Sequence, residues 1–432
     1  MNEVVIRKEN YGFLIFVPDE QSYYRVYDEQ LKEILLNSME SNSLVEFAYL
    51  YPELYIKFNL DKYNFRFVDN STLGYSTFVP LEVYFDYTAK CNANCTYCYN
   101  KKYLGDITMP IDEVRKIFDD MYDLGIMRVH LAGGEPTIDY EGLKNYIEYA
   151  RSKSMIISMA TNGSYLTEEV CELLTTNDLF SVSISLDSID EEINDQLRGK
   201  GSYKRAIKGF YNLYKSKLKN NSPLKICFKP VYYPDITIDL VESIINFSQD
   251  NNIDILKFAN PERCEEHPLG YYGNIKTDYY DNIKQIQNII NNNQSNMKIT
   301  NVSNPILYDF IIGIEENKGC IGAQELLTIN PDGRITPCLM NHTLLGNIYD
   351  FKSIKDFLVN SKELLEYRRK ISSYNCDDCS ISLACRGGCQ VRKKVEYGEI
   401  KGIDPLCPKE LVKKKINNNT HDVRKINVYH SL

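Results

Sequence analysis

Three cysteines close together constrain this chain more than any other feature. Cys91, Cys95 and Cys98 have the spacing C-x3-C-x2-C, and an aromatic residue, Tyr97, directly precedes the third. Three thiolates on one short loop can bind three irons of a [4Fe–4S] cluster and leave the fourth iron without a protein ligand. The loop therefore predicts an iron–sulfur centre at which a small molecule can be chelated and reduced. The alternative is a zinc knuckle that lacks one ligand.

A second motif, Gly133-Gly134-Glu135-Pro136, follows an apolar run. Glycines let a backbone approach a ligand closely, and the glutamate and backbone carbonyls can accept hydrogen bonds from an ammonium. Alone, the segment would be a turn between a strand and a helix. Together with the cysteine spacing it resembles the signature of the radical S-adenosylmethionine (SAM) enzymes. The resemblance implies that SAM chelates the open iron, that the cluster cleaves SAM to a 5′-deoxyadenosyl radical, and that GGEP holds the methionine amino group.

From residue 81 onward, short apolar runs alternate with segments of helical period, which predicts an α/β fold with a parallel sheet and helices outside it. The resemblance implies a partial (β/α)6 radical SAM barrel over residues 78–305. The predicted strands are Leu81–Tyr87, Arg128–Ala132, Met155–Thr161, Phe180–Leu186, Leu224–Val231 and Ile253–Phe258. The predicted helices are Ile111–Leu124, Tyr140–Arg151, Thr167–Leu174, Tyr203–Tyr214, Ile236–Phe247 and Tyr279–Ile290.

The motifs fall just after predicted strands, where barrels of this kind place their active sites. The resemblance implies that Ser185 and Asp187 face the SAM ribose, and that Asn194–Tyr203 is a loop whose Arg198 meets the SAM carboxylate. A guanidinium suits a carboxylate because its donors form a planar fork, although a surface arginine is the alternative. The expected SAM-binding residues are Tyr97, Gly133, Gly134, Glu135, Pro136, Asn162, Ser185, Asp187 and Arg198, beside the catalytic cysteines Cys91, Cys95 and Cys98.

The last third of the chain carries a second cysteine array that resembles the SPASM extension of radical SAM enzymes, here residues 306–432. The resemblance implies two auxiliary [4Fe–4S] clusters, and so three clusters in the chain. A zinc ribbon is the alternative, since thiolates suit both zinc and iron–sulfur centres. The distal ligands would be Cys376, Cys379, Cys385 and Cys407, and the proximal ligands Cys320, Cys338 and Cys389.

This array departs from related maturases at one position. Where they supply a fourth ligand to the proximal cluster, this chain has the segment Ile321–Leu326, which contains no cysteine. Either the proximal cluster has an open iron, or a carboxylate or another residue completes it. An open iron could bind a substrate thiolate, or simply tolerate water or buffer.

The N-terminal region predicts three strands, Val4–Arg7, Gly12–Val17 and Tyr23–Tyr27, followed by a helix with Asp28 as N-cap. A second helix is expected from Ser43, with Glu46 completing a capping box. This order resembles the winged-helix-like recognition element of enzymes that modify ribosomally made peptides (RiPPs), here residues 1–70. It implies a leader peptide added as a strand to the sheet edge, and the alternative is a structural cap on the barrel. Residues 70–77 are expected to be a linker.

The composition limits the kinds of binding partner and the cellular compartment to be expected for this chain. The net charge of −9 gives no general attraction to nucleic acid. No apolar stretch is long enough to cross a bilayer, so no membrane partner is expected. Thirteen cysteines without a signal peptide indicate a reducing cytoplasm. The remaining Cys171, Cys227 and Cys264 belong to no motif, and the first two are expected to be small buried hydrophobes.

The resemblance therefore implies a radical SAM oxidoreductase that matures a precursor peptide. The radical would abstract a hydrogen, a thioether or carbon–carbon crosslink would close, and the auxiliary clusters would take the surplus electron. A flavodoxin or ferredoxin is the expected electron donor. One alternative is an anaerobic sulfatase maturase that forms formylglycine, but those enzymes usually carry Asp where this chain has Leu339, and they lack the extra N-terminal domain. The other is an iron–sulfur electron-transfer or binding protein without radical chemistry.

Overall fold

The computed structural model describes residues 3–10, 12–19, 22–73, 78–231, 238–259, 297–301, 319–372, 376, 385–405 and 407. These residues form a four-stranded sheet at the N-terminus and a ten-stranded sheet in the rest of the chain. The larger sheet is built mainly of parallel strands joined by helices, as the alternation of apolar runs and helical segments predicts. No helix of the described ranges has the length and apolar content that crossing a bilayer requires.

The N-terminal sheet contains one strand more than predicted. Strands β1 (Glu3–Glu9), β2 (Gly12–Val17) and β3 (Ser22–Val26) form antiparallel neighbours, and β4 (Asn64–Asp69) returns to pair parallel with β1. The strand order is β3-β2-β1-β4, so β3 forms one edge. Strand β4 escapes sequence reasoning because its pairing with β1 spans most of the domain.

Three helices, α1 (Glu29–Ser41), α2 (Val45–Leu50) and α3 (Pro52–Lys57), lie between β3 and β4. The predicted N-cap is confirmed, because the Asp28 carboxylate accepts a hydrogen bond from the Leu31 amide at 2.8 Å. The predicted capping box is wrong. Helix α2 begins two residues after Ser43, its N-cap is Leu44, and no side chain caps it.

The N-terminal sheet packs against the barrel end that is opposite the motif loops. One face of the sheet packs on its own helices, whereas the other places Val5, Phe16 and Tyr23 against Met127 and Ile156, which stand at the starts of barrel strands. The Tyr23 hydroxyl accepts a hydrogen bond from the Met127 amide at 2.9 Å. The domain is therefore part of the folded core of the protein and is not loosely tethered.

All six predicted barrel strands are present, with ends that differ by up to three residues. Successive strands pair in parallel. They are β5 (Glu82–Asp86), β6 (Arg128–Ala132), β7 (Ile156–Thr161), β8 (Ser181–Ile184), β9 (Lys225–Phe228) and β10 (Ile255–Phe258). An unpredicted strand, β11 (Lys298–Asn301), pairs in parallel with β10 at the sheet edge.

Five of the predicted barrel helices are found, and one falls outside the described residues. They are α4 (Ile111–Asp123), α5 (Tyr140–Ser152), α6 (Glu168–Thr176), α8 (Ser202–Lys219) and α9 (Ile238–Asp250). The segment expected to be a loop around Arg198 is instead largely a helix, α7 (Glu191–Arg198), capped by the Asp190 carboxylate. The predicted helix Tyr279–Ile290 lies outside the described residues.

The C-terminal region adds to the barrel sheet. Strand β12 (Leu326–Ile329) pairs in parallel with β5, and β13 (Arg334–Thr336) and β14 (Gly346–Asn347) follow antiparallel. This pairing places the β12–β13 hairpin beside the strand that leads into the Cys91 loop. The helices of this region are α10 (Ile354–Asn360), α11 (Lys362–Ser372) and α12 (Gln390–Tyr397).

The two faces of the barrel strands differ in chemistry. Residues such as Phe85, Leu131 and Phe228 belong to the apolar core under the helices. Because side chains alternate along a strand, their neighbours face the inside of the barrel. That inner face is polar, and it contains Tyr84, Asp86, His130, Ser158, Ser183, Cys227 and Lys257.

Candidate functional site

The cysteine loop follows β5 and is held by hydrogen bonds to other parts of the barrel. The side chains of Cys91, Cys95 and Cys98 are half-buried. The Thr96 amide donates to the Leu197 carbonyl in α7 at 2.9 Å. Burial raises the pKa of the Cys91 and Cys95 thiols, and the guanidinium of Arg198 partly opposes this rise at Cys95.

The two glycines of GGEP approach the chain's own backbone. The Gly134 amide donates to the Thr88 carbonyl at 2.8 Å. A Cβ atom on Gly134 would lie 2.0 Å from the Lys90 carbonyl oxygen, and Gly133 has a φ of +114°. The expected close approach is therefore present, but in this structure it docks GGEP onto the residues that lead into the cysteine loop.

Glu135 links the ends of β6 and β7. One carboxylate oxygen, Oε1, accepts hydrogen bonds from the Thr137 amide, the Thr137 hydroxyl and the Thr161 hydroxyl at 3.1, 2.5 and 2.6 Å. The other, Oε2, accepts from the Asn162 amide at 2.7 Å. Burial raises the pKa of Glu135 and these donors oppose the rise. Each carboxylate oxygen can accept about two bonds, so Oε2 is the atom with capacity left for an ammonium.

Asn162 connects the end of β7 to the cysteine loop. Its side-chain amide donates to the Asn92 side-chain oxygen at 2.8 Å, and Asn92 lies directly after Cys91. Ser185, the expected ribose contact on the next strand, donates its amide to the Thr161 carbonyl at 2.9 Å. The structure thus brings these motif residues to one end of the barrel.

Asp187 and Arg198 form a buried ion pair. The two Arg198–Asp187 contacts are 2.7 Å and 2.9 Å, and Asp187 also accepts from the Tyr97 hydroxyl at 2.5 Å and the Val231 amide at 2.8 Å. The guanidinium lies 5.4 Å from the centre of the Tyr97 ring. Burial lowers the pKa of Arg198, but Asp187 and Tyr97 raise it well above its ordinary value. The two residues expected to meet different parts of SAM are therefore joined to each other and to the cysteine loop.

The pKa of Tyr367 is affected by all three expected proximal ligands, Cys320, Cys338 and Cys389. Tyr367 is buried, and its pKa is raised well above 10.0 by burial first and then by the charges of these three thiolates. Asn341 donates its side-chain amide to the Tyr367 hydroxyl at 2.9 Å. Of the expected distal ligands, Cys376, Cys385 and Cys407 are half-buried, whereas Cys379 and the unassigned Cys264 lie outside the described residues.

In the segment Ile321–Leu326, which contains no cysteine, the Glu325 carboxylate binds two arginines. Glu325 accepts hydrogen bonds from Arg25 at 3.0 Å and from Arg386 at 2.8 Å. Gln324 also accepts from Arg386, at 3.1 Å. Glu325 thus joins the N-terminal domain to the residue after Cys385, and the structure does not favour it as a cluster ligand.

Sequence reasoning missed several residues between the cysteine loop and the C-terminal region. His342 Nε2 lies 3.0 Å from the carbonyl oxygen of Tyr99, the residue after Cys98. Asp86, at the end of β5, accepts one hydrogen bond from Asn100 at 3.2 Å, and its Oδ1 atom has no hydrogen-bond partner among the described residues. Burial raises the pKa of Asp86 to about 7. Its position at the end of a strand, just before the cysteines, is the signal that could have identified it.

The donor set suits a cluster better than a single metal ion. Within the described ranges, no three His, Cys, Asp or Glu side chains converge closely enough to hold one ion. In an iron–sulfur cluster each thiolate binds its own iron, so the cysteines surround a group of atoms and do not meet at a point. The three half-buried thiols on the hydrogen-bonded loop after β5 meet that requirement.

Comparisons with known proteins agree with this reading. A family model described as the radical SAM superfamily matches residues 86–248, and one described as SPASM, an iron-sulfur cluster-binding domain, matches residues 320–380. The mycofactocin maturase MftC of Mycolicibacterium smegmatis is 24% identical over 345 residues, which are 76% of this chain and 82% of that protein. The PqqA peptide cyclase of Bradyrhizobium diazoefficiens is 23% identical over 346 residues, which are 76% of this chain and 86% of that protein.

The fold resembles that of a solved structure along most of its length. Streptococcus suis SuiB bound to the precursor peptide SuiA superposes with a TM-score of 0.71 at 17% identity, covering 93% of this chain and 97% of SuiB. At this identity the match establishes the fold, including the N-terminal domain as well as the barrel and the C-terminal region.

Proposed function

We propose, from the premise that the chain is a radical SAM enzyme with a SPASM domain, that it matures a ribosomally made precursor peptide by forming a crosslink. One relative is named a mycofactocin maturase and another a PqqA peptide cyclase, and SuiB was crystallised with its precursor peptide. The observation that carries the proposal is the presence, in one chain, of the cysteine loop and a packed N-terminal sheet with an edge strand. That sheet packs at the barrel end opposite the motif loops.

We assign residues 1–70 to leader recognition, 78–305 to the radical SAM barrel and 306–432 to the SPASM domain. Cys91, Cys95 and Cys98 would hold the catalytic cluster. When bound, SAM and that cluster supply a 5′-deoxyadenosyl radical, which removes a hydrogen atom from the peptide. A flavodoxin or ferredoxin in the cytoplasm would supply the electron.

The chain's own residues orient SAM and brace the loop. Arg198, kept charged by Asp187, offers a guanidinium next to the cysteine loop for the methionine carboxylate. Glu135 Oε2 and the backbone carbonyls of GGEP offer acceptors for the amino group. Tyr97 ties the loop to Asp187, so the loop and the carboxylate-binding arginine keep a constant relative position.

The SPASM cysteines would hold two further clusters, making three in all. We assign Cys320, Cys338 and Cys389 to the proximal cluster, and their common proximity to Tyr367 supports this set. With Glu325 bound to two arginines, the fourth position is open or taken by a group from outside this segment. Closing either a thioether or a carbon–carbon bond releases one electron, which these clusters would accept. The distal set is Cys376, Cys379, Cys385 and Cys407.

Strand β3 is the expected docking edge for the leader peptide. It forms an edge of the N-terminal sheet, and edge strands present unpaired backbone groups to an added strand. Helix α3 lies beside it, since the Tyr24 ring of β3 is 4.8 Å from the Phe58 ring just after α3. Exposed apolar side chains on α2 and α3 offer contacts for the leader, with Tyr49 83% and Ile56 70% exposed.

The proposal is tested with the anaerobically reconstituted full-length enzyme and a candidate precursor encoded by a short reading frame beside its gene. With SAM and a reductant, we expect 5′-deoxyadenosine and a product that lacks two hydrogen atoms and resists cleavage across the linked residues in mass spectrometry. A product aldehyde that reacts with a hydrazide would instead indicate formylglycine. Clusters that reduce and oxidise without 5′-deoxyadenosine formation would indicate an electron-transfer protein.

Leader recognition is tested separately by fluorescence polarisation with a labelled leader. Ile56→Glu is expected to weaken leader binding at least about tenfold while SAM cleavage stays intact, because the side chain is largely exposed and its domain packs at the barrel end opposite the motif loops. Tyr397→Ala, an exposed site in the SPASM region, is the control. Equal leader affinity in both variants would favour a structural cap. Deleting the domain is a poor test, because it would expose Met127 and Ile156.

A further inference from the structure

Two lysines stand side by side on the inner face of the barrel. Strands β9 and β10 are parallel, with Cys227 opposite Ile255 and Phe228 opposite Leu256. The next pair in this register is Lys229 and Lys257. Because Phe228 and Leu256 belong to the apolar core, the neighbouring lysines face the opposite way, into the barrel.

The surroundings of this lysine pair are cationic. Burial lowers the pKa of Lys229 to about 8, and the charges of Lys257 and Arg198 act in the same direction. Burial also lowers the pKa of His130, again with contributions from both lysines. His130 on β6 stands between the core residues Val129 and Leu131, so its side chain faces the same barrel interior as the two lysines.

The nearby carboxylates are engaged elsewhere. Asp187 is paired with Arg198, and Asp254 with Lys217 at 2.8 Å. Lys257 approaches the Ser183 hydroxyl at 3.5 Å, and in the described ranges no carboxylate forms an ion pair with Lys229 or Lys257. Two ammonium groups in a partly desolvated space repel each other, and a bound anion between them removes that repulsion.

The pair lies at the end of the barrel that carries the motif loops. Lys229 follows the last residue of β9, and two residues later the Val231 amide binds Asp187. Arg198 is the cation nearest the cysteine loop, through its contacts with Asp187 and Tyr97. Lys257 lies on β10, five strands away from β5 in the sheet order, whereas the cysteine loop directly follows β5.

We propose that Lys229 and Lys257 form an anion subsite that binds a carboxylate side chain of the substrate peptide. The proposal rests on the peptide-maturase function and adds a substrate class: a core peptide with an aspartate or glutamate close to the residue that loses its hydrogen. The methionine carboxylate of SAM has the same chemistry, and the experiment below separates the two sources.

The probes are N-acetylglutamate α-amide, which carries the side-chain carboxylate, and its neutral isostere N-acetylglutamine α-amide. Each is titrated into the reconstituted full-length enzyme with SAM bound, and binding is followed by ligand-observed NMR. We expect the glutamate probe to bind at least tenfold more tightly than the glutamine probe. Lys229→Gln and Lys257→Gln should each remove most of that preference, and Lys229→Arg should keep it.

Lys225→Gln is the matched control, because Lys225 lies on the same strand but is exposed at its other end. It should keep the full preference. Equal binding of the two probes to the wild-type enzyme would overturn the proposal without recourse to any variant. A preference that survives both glutamine substitutions would do the same.

A separate titration with SAM identifies the source of the carboxylate. Unchanged SAM affinity in Lys229→Gln and Lys257→Gln supports the substrate assignment. A tenfold loss of SAM affinity with the probe preference intact would assign the pair to SAM and overturn the proposal. Failure of the lysine subsite proposal is distinguishable from failure of the maturase function. An enzyme that does not prefer the glutamate probe would still release 5′-deoxyadenosine and form the crosslinked product.

Discussion

Removing one partner of the buried Asp187–Arg198 ion pair should be among the most destabilising single substitutions in the barrel. The Asp187 side chain is 0% exposed and that of Arg198 is 9% exposed. Asp187→Asn leaves a buried guanidinium without its counter-charge, which typically costs about 3–5 kcal/mol. For a domain of this size, that loss lowers the melting temperature by roughly 6–20 °C.

The matched control is Glu191→Gln in the adjacent helix. Its partner is Lys204, and both side chains are exposed, at 45% and 75%. Surface ion pairs contribute about 0–1 kcal/mol, so the melting temperature should change by no more than a few degrees. Both variants are measured anaerobically by circular dichroism and by SAM binding, and we expect only Asp187→Asn to weaken SAM binding.

A double variant separates the charge from the packing. In Asp187→Leu with Arg198→Met, both partners become apolar, so no unpaired charge remains buried. Most of the lost stability should return, whereas SAM binding should stay weak because the guanidinium is absent. Equal melting temperatures for Asp187→Asn and the Glu191→Gln control would refute the claim that an unpaired Arg198 charge destabilises the barrel.

Two further predictions concern the GGEP segment and the inner lysines. Gly134→Ala should displace GGEP from the cysteine loop, because the new Cβ would lie 2.0 Å from the Lys90 carbonyl oxygen. We expect the variant to lose about four irons per chain and to form no 5′-deoxyadenosine. A normal iron content would contradict this prediction. Lys229 has a pKa lowered from 10.5 to about 8, so the folded chain releases its proton before the unfolded chain does. Stability should therefore rise between about pH 8 and 10.5 relative to Lys229→Met, and parallel pH profiles of the two proteins would contradict the burial of this charge.

The barrel could be predicted from sequence because its signals are local. Each strand is a short apolar run between helical segments, and Arg128–Ala132 matches the observed β6 residue for residue. Strands β4 and β12 were missed because each pairs with a strand that is distant in sequence, β4 with β1 and β12 with β5. The helical form of Glu191–Arg198 was missed because its resemblance to a SAM-contacting loop outweighed its Asp190 cap and amphipathic pattern.

The site residues could be named from spacing, but their mutual contacts could not. The motif identified Glu135, whereas two of its four hydrogen bonds come from Thr161 and Asn162 at the end of β7, far away in sequence. Asp187 and Arg198 were identified separately, and their pairing follows from how α7 folds back over the end of β8. The engagement of Glu325 by Arg25 depends on contact between the first and last regions of the chain, which no local pattern records.

The central claim is that the loop after β5 holds the cluster that cleaves SAM. The most direct measurement is iron content and 5′-deoxyadenosine formation in a variant with Cys91, Cys95 and Cys98 all replaced by Ala. The wild-type enzyme should carry roughly twelve irons in three [4Fe–4S] clusters, and the variant roughly eight, with no 5′-deoxyadenosine formed from SAM. Reductive cleavage of SAM by the triple variant would contradict the account.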